Sequence, residues 1–372
     1  MRRRLLPAAF AAAGCLVVAG CGSSSIKITR ADEFGPFAGY VWNGEVRQIS
    51  ADIRVPRLIG AAHGGAAATW IGVRGAISDR TQSAPFFQIG VNEDWTHAGQ
   101  VGGRDYAFWS STGRDFAPQV LFSVRPGDVL AVSIAAAGRR LRMTVTDRRS
   151  GWHRTVGARL GREEDFDTAS WHQEDVTDVA TGEPFPYPQM GAARFSAMRV
   201  DGVAPRPRGL DLSWMSTSDA FYGPSPVRGG GFTIAEIHPS RAALEYERLA
   251  VPYDLAGYVF DSQSAAWSGS TSPGTIAAAC RRYVRVLDTD LHALAAYPWP
   301  QNVRSGIARL IASTRQMRSY LERLARHTTA YLDQFRATEI PSNGLAIRKA
   351  LHMAVFDPSG IFVTRYEKAQ SG

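Results

Sequence analysis

The chain has 372 residues and a formal charge of +8, and its basic side chains are nearly all arginine, since Lys27, Lys349 and Lys368 are the only lysines. No basic run with interleaved aromatics accompanies that charge, so nucleic-acid binding is not expected. The nearest two histidines, His153 and His172, are far apart in the chain, and no Cys-x-x-Cys, Gly-x-Ser-x-Gly or P-loop pattern occurs, so neither a metal nor a cofactor is expected.

The first residues read as an export signal. Arg2, Arg3 and Arg4 form a cationic head, Leu5 to Val18 an apolar run, and Val18-Ala19-Gly20-Cys21 a small-residue exit. The run is shorter than the roughly 20 apolar residues that span a bilayer. Residues 1–20 are therefore expected to be a discarded signal peptide. Val-Ala-Gly-Cys resembles a lipobox, in which the cysteine thiol receives diacylglycerol and becomes the mature N-terminus. Cys21 is the expected lipidation site, which places the mature chain outside the cytoplasm, anchored by lipid to a bacterial cell membrane. Loss of the three signal arginines lowers the formal charge to +5, and Cys280 becomes the one cysteine left over, so no intrachain disulfide is expected.

Residues 21–36 open with Gly22-Ser23-Ser24-Ser25, a composition that behaves as a flexible tether. From 37 to 237 the pattern is one of short strands. Val120-Leu121-Phe122-Ser123-Val124 and Leu130-Ala131-Val132-Ser133-Ile134 flank the turn sequence Arg125-Pro126-Gly127-Asp128. Many such strands with Gly and Pro turns predict a sandwich or barrel.

From 240 to 372 the period changes. Ser272-Pro273 reads as an N-cap followed by proline at the first helical position, and Ile276, Cys280, Tyr283, Val284, Leu287, Leu291 and Leu294 fall on one face of a helix. A second helix follows Pro298-Trp299-Pro300, with Val303, Ile307, Leu310, Thr314, Met317, Leu321, Leu324, Thr328, Tyr331 and Phe335 at 3-4 spacing and arginines opposite. A third is expected over 345–355. Such a seam is ordinarily core, although it also suits a ligand groove or a protein partner. This small helical bundle has no role legible in its sequence.

The strand-rich part carries an ordered series of motifs. Trp70-Ile71-Gly72-Val73-Arg74-Gly75 is followed by Phe86-Phe87-Gln88-Ile89-Gly90 and Asp94-Trp95. Tyr106-Ala107-Phe108-Trp109, Arg125-Pro126-Gly127-Asp128 and Ala169-Ser170-Trp171-His172-Gln173-Glu174-Asp175 come next, and Gly231-Phe232-Thr233-Ile234 closes the series. Over about residues 37–237 this order resembles the glutamic peptidases, the scytalidoglutamic-peptidase-like eqolisins. The resemblance implies a concanavalin-like sandwich of two curved antiparallel sheets with substrate in a concave groove. It also implies a catalytic glutamine and glutamate on neighbouring strands. The glutamate acts as general base toward water and then as acid toward the leaving amine, while the glutamine amide stabilises the oxyanion.

Gln88 falls on the family's glutamine, but Ser170 stands at the glutamate position. Arg74 and Ser110 likewise stand where the family has acidic residues. A serine hydroxyl cannot do the acid-base work of a carboxylate without a base beside it. In a regular strand Ser170, His172 and Glu174 share a face, with Glu174 about 13 Å beyond Ser170. Side chains two apart run parallel, which disfavours a Ser170–His172 nucleophile pair. Trp70, Arg74, Trp95, Trp109, Ser110 and Trp171 are expected to line the groove, and Glu163, Glu164 and Asp165 to form a solvated loop before the strand.

Three readings follow. The first is a degenerate glutamic-peptidase-like domain that binds peptide or polysaccharide. The second is an active acid endopeptidase that uses Gln88 with a displaced carboxylate, Glu174 first. The third is an envelope lipoprotein whose sandwich is scaffold and whose helical domain binds a protein partner.

Overall fold

The computed structural model describes residues 34–59, 65–75, 85–95, 104–112, 116–160, 166–177, 184–268, 270–327 and 344–353. The expected signal peptide, Cys21, most of the tether and Glu163 to Asp165 lie outside those residues. The chain divides into two compact units that part between His238 and Pro239.

The first unit is built from two antiparallel sheets. One runs, edge to edge, β12 (Leu210–Ser213), β1 (Phe37–Val46), β10 (Phe166–Asp175), β3 (Ala67–Gly75), β4 (Phe86–Trp95), β5 (Arg104–Ser111) and β6 (Gln119–Ser123). The other runs β13 (Met215–Ser216), β14 (Phe221–Pro224), β15 (Phe232–Ile237), β11 (Ala193–Val200), β2 (Gln48–Arg54), β7 (Val129–Ala137), β8 (Arg140–Asp147) and β9 (His153–Arg159). Chain neighbours β6 and β7 belong to different sheets. The Arg125–Asp128 turn is therefore a corner between sheets and not a hairpin. Gly127 supplies the left-handed residue it needs (φ +90°), and Asp128 closes it by accepting from the Arg125 N–H at 2.8 Å.

Alternation decides which side chains meet between the sheets. Ile49, Ala51 and Ile53 of β2, Leu130, Val132 and Ile134 of β7, and Leu141, Met143 and Val145 of β8 point inward from one sheet. Ala38 and Tyr40 of β1, Ile71 and Val73 of β3, Ile89 and Val91 of β4, and Ala169 and Trp171 of β10 answer them from the other. Each fully buried aliphatic or aromatic side chain contributes about 1.5–3 kcal/mol.

The second unit holds α1 (Arg241–Ala265), α2 (Pro273–Ala296), α3 (Gln301–His327) and α4 (Gly344–Ala350). Ser272 caps α2, its hydroxyl accepting from the Thr275 N–H at 3.1 Å, and Pro273 follows at the first helical position. The expected faces of α2 and α3 are core: Cys280, Tyr283, Leu287, Leu321 and Leu324 pack with Ala256 and Phe260 of α1. Thr328, Tyr331 and Phe335 lie beyond the described part of α3. The sequence pattern gives no expectation of α1, because Pro252 interrupts it. Ser240 nonetheless caps that helix by accepting from the Ala243 N–H at 3.1 Å. No described helix is long and apolar enough to cross a membrane.

Candidate functional site

The outer face of the seven-stranded sheet collects the side chains that alternation turns away from the core. They are Phe37 and Val41 of β1, Ser170, His172 and Glu174 of β10, Ala68, Trp70 and Arg74 of β3, Phe86, Gln88 and Asn92 of β4, and Tyr106, Phe108 and Ser110 of β5. Register then places them in rows across the strands. Val41, Ser170, Gly72, Gln88 and Ser110 form one row.

In that row the resemblance needs correction on one point. Gln88 and Ser170 are not on neighbouring strands, because β3 runs between β4 and β10 with Gly72 at the intervening position. Both side chains are buried, at 7% and 6% exposure. The Gln88 amide Nε2 donates to the Ser110 hydroxyl at 2.7 Å, so the amide is committed toward β5, away from Ser170. The space over Gly72 is also taken. A Cβ there would meet Phe86 Cζ at 2.8 Å and Trp70 Cζ3 at 2.9 Å. Two rings thus fill the gap between the glutamine and the serine.

Aromatic packing dominates the rest of this face. Trp70 meets Phe37, Phe86 and His172 edge-on, with centroids 5.9, 5.5 and 5.2 Å away. His172 stacks on Phe37 at 5.6 Å. Neither ring nitrogen of His172 has a hydrogen-bond partner among the described residues, and burial pulls its pKa down to about 3. The imidazole is therefore neutral at pH 7 and forms no hydrogen bond with Ser170, so the two do not make a nucleophile–base pair.

Among the described residues Glu174 is the one carboxyl group in these central rows of the outer face. Its Oε2 accepts from the Trp70 indole Nε1 at 2.8 Å. Burial pushes its pKa up to about 7, against the opposing pull of that hydrogen bond. Next to it Asp175 faces inward, pushed to about 8 by burial and then by the charge of Glu174. Glu93 of β4 lies in the same row as Asp175, across Ala67, and is also raised, chiefly by burial. Thr69 beside it pulls the other way, more weakly than burial.

The expected lining residues separate into two groups. Trp70, Arg74 and Ser110 do face outward with Gln88, and Arg74 donates to the Thr168 hydroxyl at 3.3 Å. Trp171 and Trp109 do not line a groove. Each neighbours an outward residue in its strand, Ser170 and Ser110, so alternation turns it inward. Trp171 is fully buried between the sheets with its Nε1 3.4 Å from the Ser50 carbonyl, and Trp109 packs against the same core. Trp95 ends β4 opposite Arg104, and its side chain lies outside the described residues. Sequence reading missed Asn92, which lies four residues beyond Gln88 on the same face and donates from Nδ2 to the Tyr106 hydroxyl at 3.0 Å. Alternation from Gln88 is the signal that points to it. Among the described residues no group of three or more His, Cys, Asp or Glu side chains is arranged to hold a metal ion.

Comparison with known proteins bears on this geometry. Residues 35–215 match the model of the Peptidase A4 family. No curated protein matches the chain. Among solved structures the chain is similar to scytalido-glutamic peptidase with a transition state analog inhibitor, at 16% identity and a TM-score of 0.44 over 54% of this chain and 98% of that one. It is also similar to SCP-B, a member of the Eqolisin family of peptidases in a complex with the tripeptide Ala-Ile-His, at 16% identity and a TM-score of 0.43 over the same shares.

Proposed function

We propose, with the match of residues 35–215 to the Peptidase A4 family as premise, that the sandwich receives an extended peptide or polysaccharide across its seven-stranded sheet and does not cut at the family's own position. The observation that carries this reading is the Ser170–Gly72–Gln88 row. It has no carboxyl group, its amide is engaged by Ser110, and the rings of Trp70 and Phe86 occupy its centre. General acid-base hydrolysis needs a carboxyl within reach of the water and a donor aimed at the oxyanion, and that row supplies neither together. Glu174 does not complete the pair with Gln88, since it lies about 13 Å along the sheet from the Ser170 row. The half-buried rings of Phe37 and Phe86 on this face instead suit the apolar contacts of a bound polymer.

The same proposal places the domain outside the cytoplasm. The lipobox-like Val18-Ala19-Gly20-Cys21 motif supports lipidation of Cys21, with the Gly22-Ser23-Ser24-Ser25 segment as spacer. The helical unit then rides on the same anchor.

Titration of the full chain in detergent with peptide and polysaccharide pools, followed by tryptophan fluorescence, tests the binding role. Saturable quenching by one of the two pools is expected. Absence of saturation with either would defeat the reading, as would cleavage of denatured substrates at acid pH that disappears in Gln88→Ala. For the anchor, Cys21→Ala is expected to move the chain from the membrane to the soluble fraction, and continued membrane retention would refute it.

A further inference from the structure

The outer face of the eight-stranded sheet is strongly basic at one end. Alternation turns Leu141, Met143 and Val145 of β8 toward the core, so Arg140 and Arg142 point out, and register sets Arg140 opposite Arg159 of β9. Two cationic side chains thus face each other across one strand interval, where like charges ordinarily cost stability. Neither has an ion-pair or hydrogen-bond partner for its guanidinium among the described residues, and the same holds for Arg142. Other arginines of this sheet and its turns are answered by carboxylates. Arg47, whose carbonyl accepts from the Ala136 N–H at 2.8 Å, holds Glu45 at 3.0 Å. Arg148 holds Asp52 at 2.7 Å, and Arg149 holds Asp128 at 2.6 Å.

The facing pair also has room in front of it. A concavity of about 590 Å³ is lined by Ala137, Arg139, Arg140, Gly157, Ala158 and Arg159. Its floor is made of short residues. Ala137 of β7 is the register partner of Arg140, and a Cβ built on Gly157 would meet nothing closer than the Leu141 carbonyl oxygen at 3.9 Å. The two-residue turn Gly138-Arg139 joins β7 to β8, with Gly138 in the left-handed region (φ +57°) that such a hairpin needs at its first position. That turn brings Arg139 to the rim, where its Nε donates to the Leu160 carbonyl at 3.4 Å.

We propose that Arg139, Arg140 and Arg159 form a binding site for a phosphate ester, with the phosphate oxygens between the guanidinium groups and the organic part over Ala137 and Gly157. Each guanidinium is a planar fork of donors that matches two oxygens of a phosphate. A lone carboxylate brings one charge and two oxygens to three cations, whereas a phosphate offers more of both. The concavity is larger than a bare phosphate fills, which is why the ligand is an ester and not the free ion. A bound phosphate also removes the cost of holding Arg140 and Arg159 opposite each other. The site lies on the other sheet from the Ser170–Gly72–Gln88 row and does not depend on what that row binds.

Calorimetric titration of the full chain with glycerol phosphate at constant ionic strength tests the site. Saturable binding is expected, with none for glycerol, and Arg140→Gln and Arg159→Gln should each weaken it about 10-fold or more. Vesicles distinguish the sources of the ester. Flotation of Cys21→Ala with phosphatidylglycerol vesicles but not with phosphatidylcholine, lost in Arg140→Gln, would assign the site to a lipid headgroup. Glycerol phosphate binding without flotation would assign it to a soluble ester.

Binding of equal strength in Arg140→Gln and Arg159→Gln, or heat that chloride reproduces at the same ionic strength, overturns the proposal. Without ligand the doubly substituted chain should melt at or above the wild-type temperature, because a facing pair of like charges has been removed. A lower melting temperature would mean that the fold itself engages these guanidinium groups, and it too overturns the site.

Discussion

Two clusters, one in each unit of this chain, bury charged residues in opposite ways. In the helical unit Arg348 of α4, 5% exposed, is answered at once by Glu247 of α1 at 2.5 Å and by Asp254 at 3.5 Å. In the sandwich, Glu174 has an indole N–H but no cation, and one oxygen of Asp175 has no hydrogen-bond partner among the described residues. An ion pair whose partners are both desolvated fixes the packing of the helices that carry it. A carboxyl buried without a counter-charge stays protonated near neutrality; it costs stability, and a group so perturbed is a candidate for function. The difference separates a structural cluster from a candidate site.

The largest effect is expected where the pairing is complete. Arg348→Met removes the guanidinium that faces Glu247, itself only 1% exposed. Breaking one side of a buried pair typically costs about 3–5 kcal/mol, because an uncompensated charge remains. Denaturant unfolding followed by helical circular dichroism should show that loss, and the β signal should stay in place. An unchanged midpoint would mean that the cluster contributes no net stability and would remove one side of the comparison.

A smaller effect, set by pH, is expected in the sandwich. Glu174 and Asp175 are raised to about 7 and about 8 by burial, and Glu93 is raised as well. A carboxyl whose folded pKa lies above its unfolded value gives its full stabilisation below the unfolded pKa, and that contribution is lost as pH rises through the folded value. His172, lowered to about 3, acts in reverse: its contribution is present above its unfolded pKa near 6.5 and is lost as pH falls toward 3. Three carboxyls outweigh one imidazole. The melting temperature of the β signal should therefore peak near about pH 4–5 and decline toward pH 8. Glu174→Gln should flatten part of that decline, by about 3 kcal/mol. A decline of equal slope in the variant would show that Glu174 is not one of the protonated groups.

Much of this site was legible in the sequence, and one legible part was misread. The alternation that puts Gln88 outward also puts Asn92 outward, and the alternation that puts Ser170 outward turns Trp171 inward. The expectation that both tryptophans beside the family positions line a groove conflicts with that rule, and Trp171 and Trp109 are core. The row that joins Glu174, Ala68 and Asn92 was not legible, because it depends on how three strands distant in sequence pair. No local pattern states that β10 lies against β3 and not against β4. The same holds for Trp70, whose indole reaches a carboxyl more than a hundred residues away. In the helical unit α2 and α3 followed from period and capping, whereas α1 did not, since proline in a helix interior ordinarily signals a break.

The smallest effect is expected where charge is paired but wet. Arg318 of α3 lies 2.5 Å from Asp288 of α2 and 3.1 Å from Glu322 one turn on, in a network whose side chains are 37–49% exposed. Water already solvates all three groups, and holding long side chains in one geometry costs entropy, so an exposed pair of this kind contributes roughly 0.2–1 kcal/mol. Arg318→Ala should therefore shift the denaturation midpoint of the helical unit far less than Arg348→Met, and the small shift should fade when salt is raised. The contrast depends on desolvation and not on the number of ionic contacts, because Arg318, like Arg348, meets two carboxylates. If Arg318→Ala matched Arg348→Met in cost, burial would lose its place as the variable that separates strong charge pairs from weak ones in this unit.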